Sequence, residues 1–387
     1  MGQWLSSVIK QDDASKKILF LLSLLTYTEQ DQVGIALKGD SASGKSWIAL
    51  RIAELHPGNA KVTLSYASPT AFFHETGTLN PVTNVRTIDY ERKLLVFLDM
   101  PNAELLKRLR PLLSHDQKQQ TYKVTDRTQK SGYRTKEAIL KGYFTTVFCS
   151  ADSIYDEQER TRLVMLSPSD DPEKIKEAIL LKAAYEKDPE AFKKTILADA
   201  GLQILKQRID AIHAANIRYV KIPSAEKIGN DFIAERLHLS PRHTRDFPRL
   251  LYLIKANAVL NFANRGLDAN HDITVNDTDI QVGKKLYAAI CESNELGLDP
   301  STYEIWTTII QPLLVRESTA SRIEIATEYY QIKHRNIGDR KLRSIMTQLQ
   351  TTGLVNETVD QLDRKTKVYK LVVSSGTAAK LAPIPTV

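Results

Sequence analysis

Residues 39 to 46 read GDSASGKS: two glycines separated by four residues, then a lysine and a serine. A loop of this composition can leave its backbone N–H groups pointing at an anion, and a helix starting at its end adds a favourable dipole. Lys45 would then reach the β- and γ-phosphates of a nucleotide, and the Ser46 hydroxyl would hold magnesium. The loop residues Gly39, Asp40, Ser41, Ala42, Ser43, Gly44, Lys45 and Ser46 are therefore candidate ATP-binding residues, with ATP and Mg2+ as the expected cofactors. The apolar run Val33 to Leu37 before the loop reads as a strand. Trp47, Ile48, Ala49, Ile52 and Leu55 after it repeat at helical spacing.

A magnesium site needs a second oxygen donor, and KLLVFLDM at Lys93 to Met100 supplies a candidate. Leu94 to Leu98 is continuously apolar, as a strand buried on both faces of a parallel sheet must be. Asp99 stands at its C-terminal end, the edge at which open α/β sheets bind ligands. It is a candidate metal ligand or base, although Met100 occupies the place where a second acid is expected. Glu104, about one helical turn further on, is the alternative base. GYFTTVFCSAD at Gly142 to Asp152 reads as a third buried strand, and AKVTLSY at Ala60 to Tyr66 as another. Strands alternating with helical stretches predict an α/β core.

Between the Asp99 strand and the third strand, QKQQTYKVTDRTQKSGYRTKEAILKG alternates at Tyr122 and Val124 and turns at Lys130-Ser131-Gly132, which predicts a β-hairpin. Its Lys123, Arg127, Lys130, Arg134 and Lys136, with Tyr122 and Tyr133, fit either a solvated hairpin or a DNA contact through phosphates and base stacking. Arg160 and Arg162 follow the third strand and are candidates for reaching the γ-phosphate bound by a neighbouring subunit. Lys174 to Arg218 reads as helical throughout. After Cys291 the pattern is helix, helix, turn, helix, hairpin, with Asp339 as the expected cap of the third helix and Gly353 as its end. That order fits a winged helix, with Arg340, Lys341 and Arg343 offered to a major groove and Arg364, Lys365 and Lys367 to the backbone. Winged helices also dock proteins, so that alternative stands beside DNA contact.

The 387 residues are too many for one ordinary core, and 42% hydrophobic with 26% charged residues is the composition of a globular chain. The longest apolar run, Ile18 to Leu25, falls far short of the roughly 20 residues that cross a bilayer. No signal-peptide pattern is expected at the N-terminus. Two cysteines, Cys149 and Cys291, exclude a disulfide framework and a cysteine metal cluster, which predicts a reducing, cytoplasmic setting. A net charge of +7 permits nucleic-acid binding without demonstrating it. The eight histidines show no metal-ligand spacing.

With the parts in this order, from the loop motif through the hairpin to TRDFPRLLYLIKANAVLNFANR and ITVNDTDIQVGKKL, the chain resembles the AAA+ ATPases that carry a hairpin before the sensor 1 strand. It is most similar to the minichromosome maintenance (MCM) helicases and MCM-like ATPases of mobile elements. The likeness runs from Val33 to Leu286 and on into the tail domain. It implies a P-loop AAA+ core with an N-terminal helix at 1–170, a helical lid at 171–288, a winged-helix domain at 289–375 and a flexible tail at 376–387. It also implies a sensor 2 role for Arg245, a finger role for Arg160 or Arg162, and a DNA-gripping role for Lys130 at the hairpin tip. The sensor 1 asparagine is missing, so Ser150 or Asp152 would orient the attacking water. With only about 30 residues before the loop strand, the family's large N-terminal DNA-binding and zinc region is not expected in this sequence. The expected function is an ATP-dependent DNA helicase or replication ATPase, working as a homo-oligomeric, hexameric ring on single-stranded or forked DNA, with a primase or other replication proteins as partners and no membrane. An initiator or helicase loader, acting as an ATP-controlled DNA-binding switch, is the alternative. A third possibility is an ATPase that acts on protein partners.

Overall fold

The runs Ile35 to Leu37, Leu94 to Phe97 and Val147 to Cys149 are at most 2% exposed. Strands without a solvated face belong inside a parallel sheet covered on both sides. The computed structural model describes residues 1–126, 134–150, 162–169, 171–236, 239–359 and 366–372. Its strands in the first half are β1 (Gly34–Lys38), β2 (Lys61–Leu64), β3 (Thr78–Asn80), β4 (Val85–Asp89), β5 (Leu94–Phe97), β6 (Gln119–Asp126), β7 (Arg134–Lys141), β8 (Thr145–Ser150) and β9 (Leu163–Leu166). Five of these form a parallel sheet in the order β2-β5-β8-β1-β9. Lys38 lies opposite Ser150, and Phe97 opposite Phe148, so the ends of β1, β5 and β8 share one edge.

Alternate residues of these strands enter different cores, as the pleat requires. Ile35, Leu37, Val147 and Cys149 face a layer containing α1 (Asp13–Leu24) and α2 (Lys45–Ala53). Ala36, Leu95, Phe97 and Phe148 face α3 (Ala103–Leu113) together with Phe72, Phe73 and Tyr90. Ile18 to Leu22 of α1 are fully buried, because this helix lies between the sheet layer and the helices further along the chain.

The hairpin read from the sequence forms, with Gln119 opposite Lys141 and Asp126 opposite Arg134. Its expected turn at Lys130 to Gly132 lies outside the described residues. The sequence reading missed the sheet in which the hairpin sits: β3-β4-β7-β6, with β4 running parallel to β7. Gly142 ends the hairpin at φ +98°, where a Cβ would come within 2.3 Å of the Glu91 backbone nitrogen. Only glycine allows the hairpin to leave its sheet so close to the turn before β5.

The helical stretch after β9 is broken twice, correcting the expectation of one continuous helix. It forms α4 (Pro172–Lys187), α5 (Pro189–Leu197) and α6 (Ala200–Ala214). The Asp188 and Asp199 side chains accept from the N–H groups of Ala191 and Leu202, restarting the helix each time, and Pro189 sits at a first-turn position. The apolar period of α4 faces solvent: Ile179 is 64% and Leu180 60% exposed. α7 (Ala225–Ala234), α8 (His243–Leu260) and α9 (Asp277–Ala288) follow, with the short strands β10 (Val220–Lys221) and β11 (Ile273–Thr274) between them. Apolar residues of α6 through α9 join the same core as α1 and α2.

The last part has its own apolar core, running from Leu298 to Tyr369. It contains α10 (Pro300–Ile305), a π turn at Trp306–Ile310, α11 (Gln311–Glu317), β12 (Ala320–Ser321), α12 (Arg322–Lys333), α13 (Asp339–Thr351), β13 (Val355–Val359) and β14 (Lys367–Leu371). Its sheet has the order β12-β14-β13 and is antiparallel. The cap of α13 is Gly338, and Asp339 is the first helical residue, so the helix begins one position earlier than expected. The chain is thus an α/β protein with a parallel central sheet and many helices. Among the described residues, no helix is long and apolar enough to cross a membrane.

Candidate functional site

The loop between β1 and α2 is shaped by two left-handed residues, Ala42 at φ 65° and Gly44 at φ 92°. Gly44 is the N-cap of α2, so the helix N-terminus opens directly onto the loop. At Gly39 a Cβ would lie 2.9 Å from the Ser43 Oγ, and the Gly39 N–H donates to the Ser150 carbonyl at 3.3 Å. Lys45 is buried, and its Nζ donates to the carbonyl oxygens of Gly39 at 2.8 Å and Asp40 at 2.6 Å. Burial pulls this ammonium below its usual pKa range, while Cys149, Asp40 and Asp99 oppose the shift. The Ser43 Oγ is buried with no hydrogen-bond partner among the described residues.

Around this lysine the sheet edge gathers the other candidates. Burial pushes the Cys149 thiol up to about 11, against a hydrogen bond from Ser46 and the charge of Lys45, with Asp99 adding to the rise. Ser46, Lys45, Cys149 and Asp99 therefore form one neighbourhood. Asp99 is exposed, and its Oδ1 accepts from the Met100 N–H at 2.8 Å. Met100, where a second acid was expected, packs its side chain against the core beneath α3. Ser150 is buried at the end of β8. Two hard oxygen donors, the Ser46 hydroxyl and the Asp99 carboxylate, are of the type magnesium takes. The orphaned Ser43 Oγ and the helix N-terminus likewise suit a phosphate.

Other candidates lie elsewhere. Glu104 is exposed in the first turn of α3, where its Oε1 accepts from Arg108 at 2.5 Å. Arg162 is half-buried immediately before β9 and lines a small cavity with Gly34 and Phe148. Gly34 pairs with Leu163 at the start of both strands, so Arg162 stands at the edge of the sheet opposite the loop. The five residues of β1 separate the two edges by about 13 Å. Arg245 is exposed in the first turn of α8. One turn on, the buried Arg249 donates to the Leu163 carbonyl at 2.8 Å, which ties the start of α8 to the edge where Arg162 stands. Burial lowers the Arg249 guanidinium to about 10. Arg160 and Asp152 lie outside the described residues.

Of the cations expected to meet DNA, Lys123 is exposed on β6 and 3.9 Å from Glu137. Arg134 opens β7, and Lys136 follows two residues later. Arg127, Lys130 and Tyr133 lie outside the described residues, as do Arg364 and Lys365. Lys367 opens β14 and pairs with Glu357 at 2.6 Å. Arg340 and Arg343 are exposed, the latter 2.7 Å from Asp339. Lys341 differs from both. Its Nζ lies 2.5 Å from Asp40 Oδ2, so it points at the loop rather than away from it.

Several residues at the site escaped the sequence reading. Lys38, the last residue of β1, is buried, and its Nζ donates to Asp299 Oδ2 at 2.7 Å and Gln348 Oε1 at 3.0 Å. Lys174 of α4 donates to the Ser43 carbonyl at 3.0 Å and the Ser169 carbonyl at 2.8 Å, and pairs with Asp12 at 2.5 Å. Asn294 imitates a neighbouring strand on the open side of β9. It accepts from the Met165 N–H at 3.1 Å and donates to the Met165 carbonyl at 3.2 Å. Open strand edges require such cover. A lysine closing the otherwise apolar GIALK was the available signal for the first of these; the others depend on residues far away in sequence.

Among the comparisons with known proteins, no protein-family model and no curated protein matches the chain.

Proposed function

We propose that the chain is an ATPase acting on DNA, an MCM-like AAA+ motor with a helical lid and a C-terminal winged-helix domain. The observation that carries this reading is the placement of Lys45 at a helix N-terminus, with Ser46 and Asp99 beside it at the C-terminal edge of a parallel sheet. The hairpin directly before β8, and the helix, strand, helix, helix, strand, strand order after Leu298, support the finer assignment. Ser46 and Asp99 would hold magnesium, which when bound neutralises charge on the transferring phosphoryl group. Lys45 would exchange its two carbonyl partners for phosphate oxygens. Ser150, ending β8 beside the loop, would orient water. Arg162 is too far from its own loop, so the phosphate it serves would belong to another copy, as a ring requires. Arg245 would act from the same edge. The hairpin would carry the DNA contact and move with the state of the nucleotide.

A switch that controls DNA binding is favoured by a different observation: α13, the helix proposed to read DNA, is joined to the loop through Lys341 and to β1 through Gln348. The two readings separate by measurement. A motor unwinds a short forked DNA with ATP, shows ATP turnover strongly stimulated by single strands, and loses both on Lys45→Ala. Unwinding that survives Lys45→Ala removes the motor reading. Selective duplex binding with little stimulation of turnover establishes the switch instead.

A further inference from the structure

Among the described residues, three ammonium groups reach the six residues from Gly39 to Gly44. Lys45 comes from α2 and holds the Gly39 and Asp40 carbonyls, while Lys174 comes from α4 and holds the Ser43 carbonyl. Lys341 comes from α13, about 300 residues along the chain, and lies 2.5 Å from Asp40 Oδ2. The three are not equivalent. Lys174 is saturated by Asp12, Ser43 and Ser169 and acts as a strap on the loop. Lys341 is partly exposed, and it meets the loop through an exposed carboxylate at the rim.

The position of Lys341 is set by a built contact. Gln348 lies seven residues later, two helical turns on and thus on the same face of α13. It is buried against Lys38, the residue directly before the loop. Asp299, at the N-cap of α10, completes that contact from the same side. The end of β1 therefore fixes α13, and α13 carries Lys341 to the loop. Asp40 holds two lysines at once, Lys45 on its carbonyl and Lys341 on its carboxylate.

We propose that Lys341 is a phosphate ligand of the nucleotide site supplied by the C-terminal part of the same chain, and that Asp40 and the terminal phosphate of a nucleoside triphosphate compete for its ammonium. This rests on the reading that the loop holds a triphosphate. The terminal phosphate brings close to two negative charges at neutral pH and several strong acceptors, and it arrives at the rim where Asp40 now pairs with Lys341. A diphosphate lacks that group and leaves the Asp40 pair in place. The site thereby discriminates between the two nucleotides, and the discrimination is transmitted to α13.

Fluorescent ATP and ADP analogues titrated into the full chain test this. Lys341→Met is expected to weaken the triphosphate at least about tenfold, the scale of one charged hydrogen bond, and the diphosphate by under about threefold. Lys341→Arg is expected to keep the selectivity, and Asp40→Asn to tighten the triphosphate by removing the carboxylate that competes with it for Lys341. Equal effects of Lys341→Met on both nucleotides, or none, overturn the inference; if Lys45→Met still abolishes binding, the reading of the loop survives. If Lys45→Met leaves binding unchanged, that reading falls and the inference with it. Should Lys341→Met fail to fold, Asp40→Asn decides alone, since unchanged or weaker triphosphate binding overturns the proposal.

Discussion

Lys38 Nζ and Asp299 Oδ2 lie 2.7 Å apart, with the two side chains 9% and 3% exposed, and they join the strand before the phosphate-type loop to the first helix of the C-terminal part. Burial alone would raise the Asp299 carboxyl, but Lys38 and the Thr302 hydrogen bonds outweigh it and hold the group below its usual pKa of 3.8. Each partner therefore depends on the other to remain charged out of water.

Removing one partner leaves a buried charge alone. Lys38→Met is expected to lower stability by roughly 3 to 5 kcal/mol, and the double variant Lys38→Met with Asp299→Asn by clearly less. Urea unfolding of the three proteins is the measurement. Because the folded pKa is depressed, the pair stabilises above pH 3.8 and that contribution is lost as pH falls from there through the folded pKa.

His56 gives a pH dependence of different origin. It is 1% exposed, with Ser23 Oγ 2.9 Å from Nε2 and Tyr27 Oη 2.7 Å from Nδ1. Burial lowers its pKa from 6.5 to about 3, with Lys61 and His213 adding to the shift. The unfolded chain takes up a proton below pH 6.5 and the folded one does not, so stability falls with pH by at most about 1.4 kcal/mol per unit from this group. Urea midpoints between pH 7 and pH 5 should decline, and His56→Gln should flatten the decline.

Asp99 and Glu104 separate by turnover. Asp99 shares an electrostatic neighbourhood with Lys45, whereas Glu104 is exposed and paired with Arg108. Asp99→Asn is expected to reduce ATP hydrolysis by at least about 10²-fold. Glu104→Gln loses only an exposed ion pair of small worth, about 1 kcal/mol at most, and should leave hydrolysis nearly unchanged. The reverse pattern would make Glu104 the base.

Binding of DNA by the hairpin is testable through salt. For a single strand, every phosphate that a lysine neutralises adds about 0.7 to the steepness of log affinity against log salt, because its counterion is released. Lys123→Ala combined with Lys130→Ala should therefore weaken binding and flatten that slope, measured by fluorescence anisotropy between 50 and 200 mM salt. An unchanged slope removes the hairpin from the DNA interface.

The elements that local physics controls were legible. The apolar runs Leu94 to Phe97 and Thr145 to Ser150 became strands of the parallel sheet, and the loop motif sits between β1 and α2 as its glycines and hydroxyls require. The hairpin strands followed from alternation and a glycine turn signal. Boundaries were less legible: Asp188 and Asp199 read as ordinary helix residues until their side chains are seen to cap the next segment. The exposure of Ile179 and Leu180 was not legible either, because spacing shows that apolar residues share a face but not what covers it.

Sequence by itself determined the strand, loop and helix around GDSASGKS and the acid at the end of an apolar strand, since each is set by a few neighbouring residues. Only the tertiary structure decided which distant side chains meet that loop. Lys38, Lys174 and Lys341 carry no local mark of their partners Asp299, Asp12 and Asp40. Lys341 reads along the chain as one of three basic residues on a DNA-facing helix. Folding instead buries the Gln348 face of α13 against the end of β1, and that packing turns Lys341 toward the loop. Charge pairing across hundreds of residues is a property of packed surfaces, and neither periodicity nor composition encodes it.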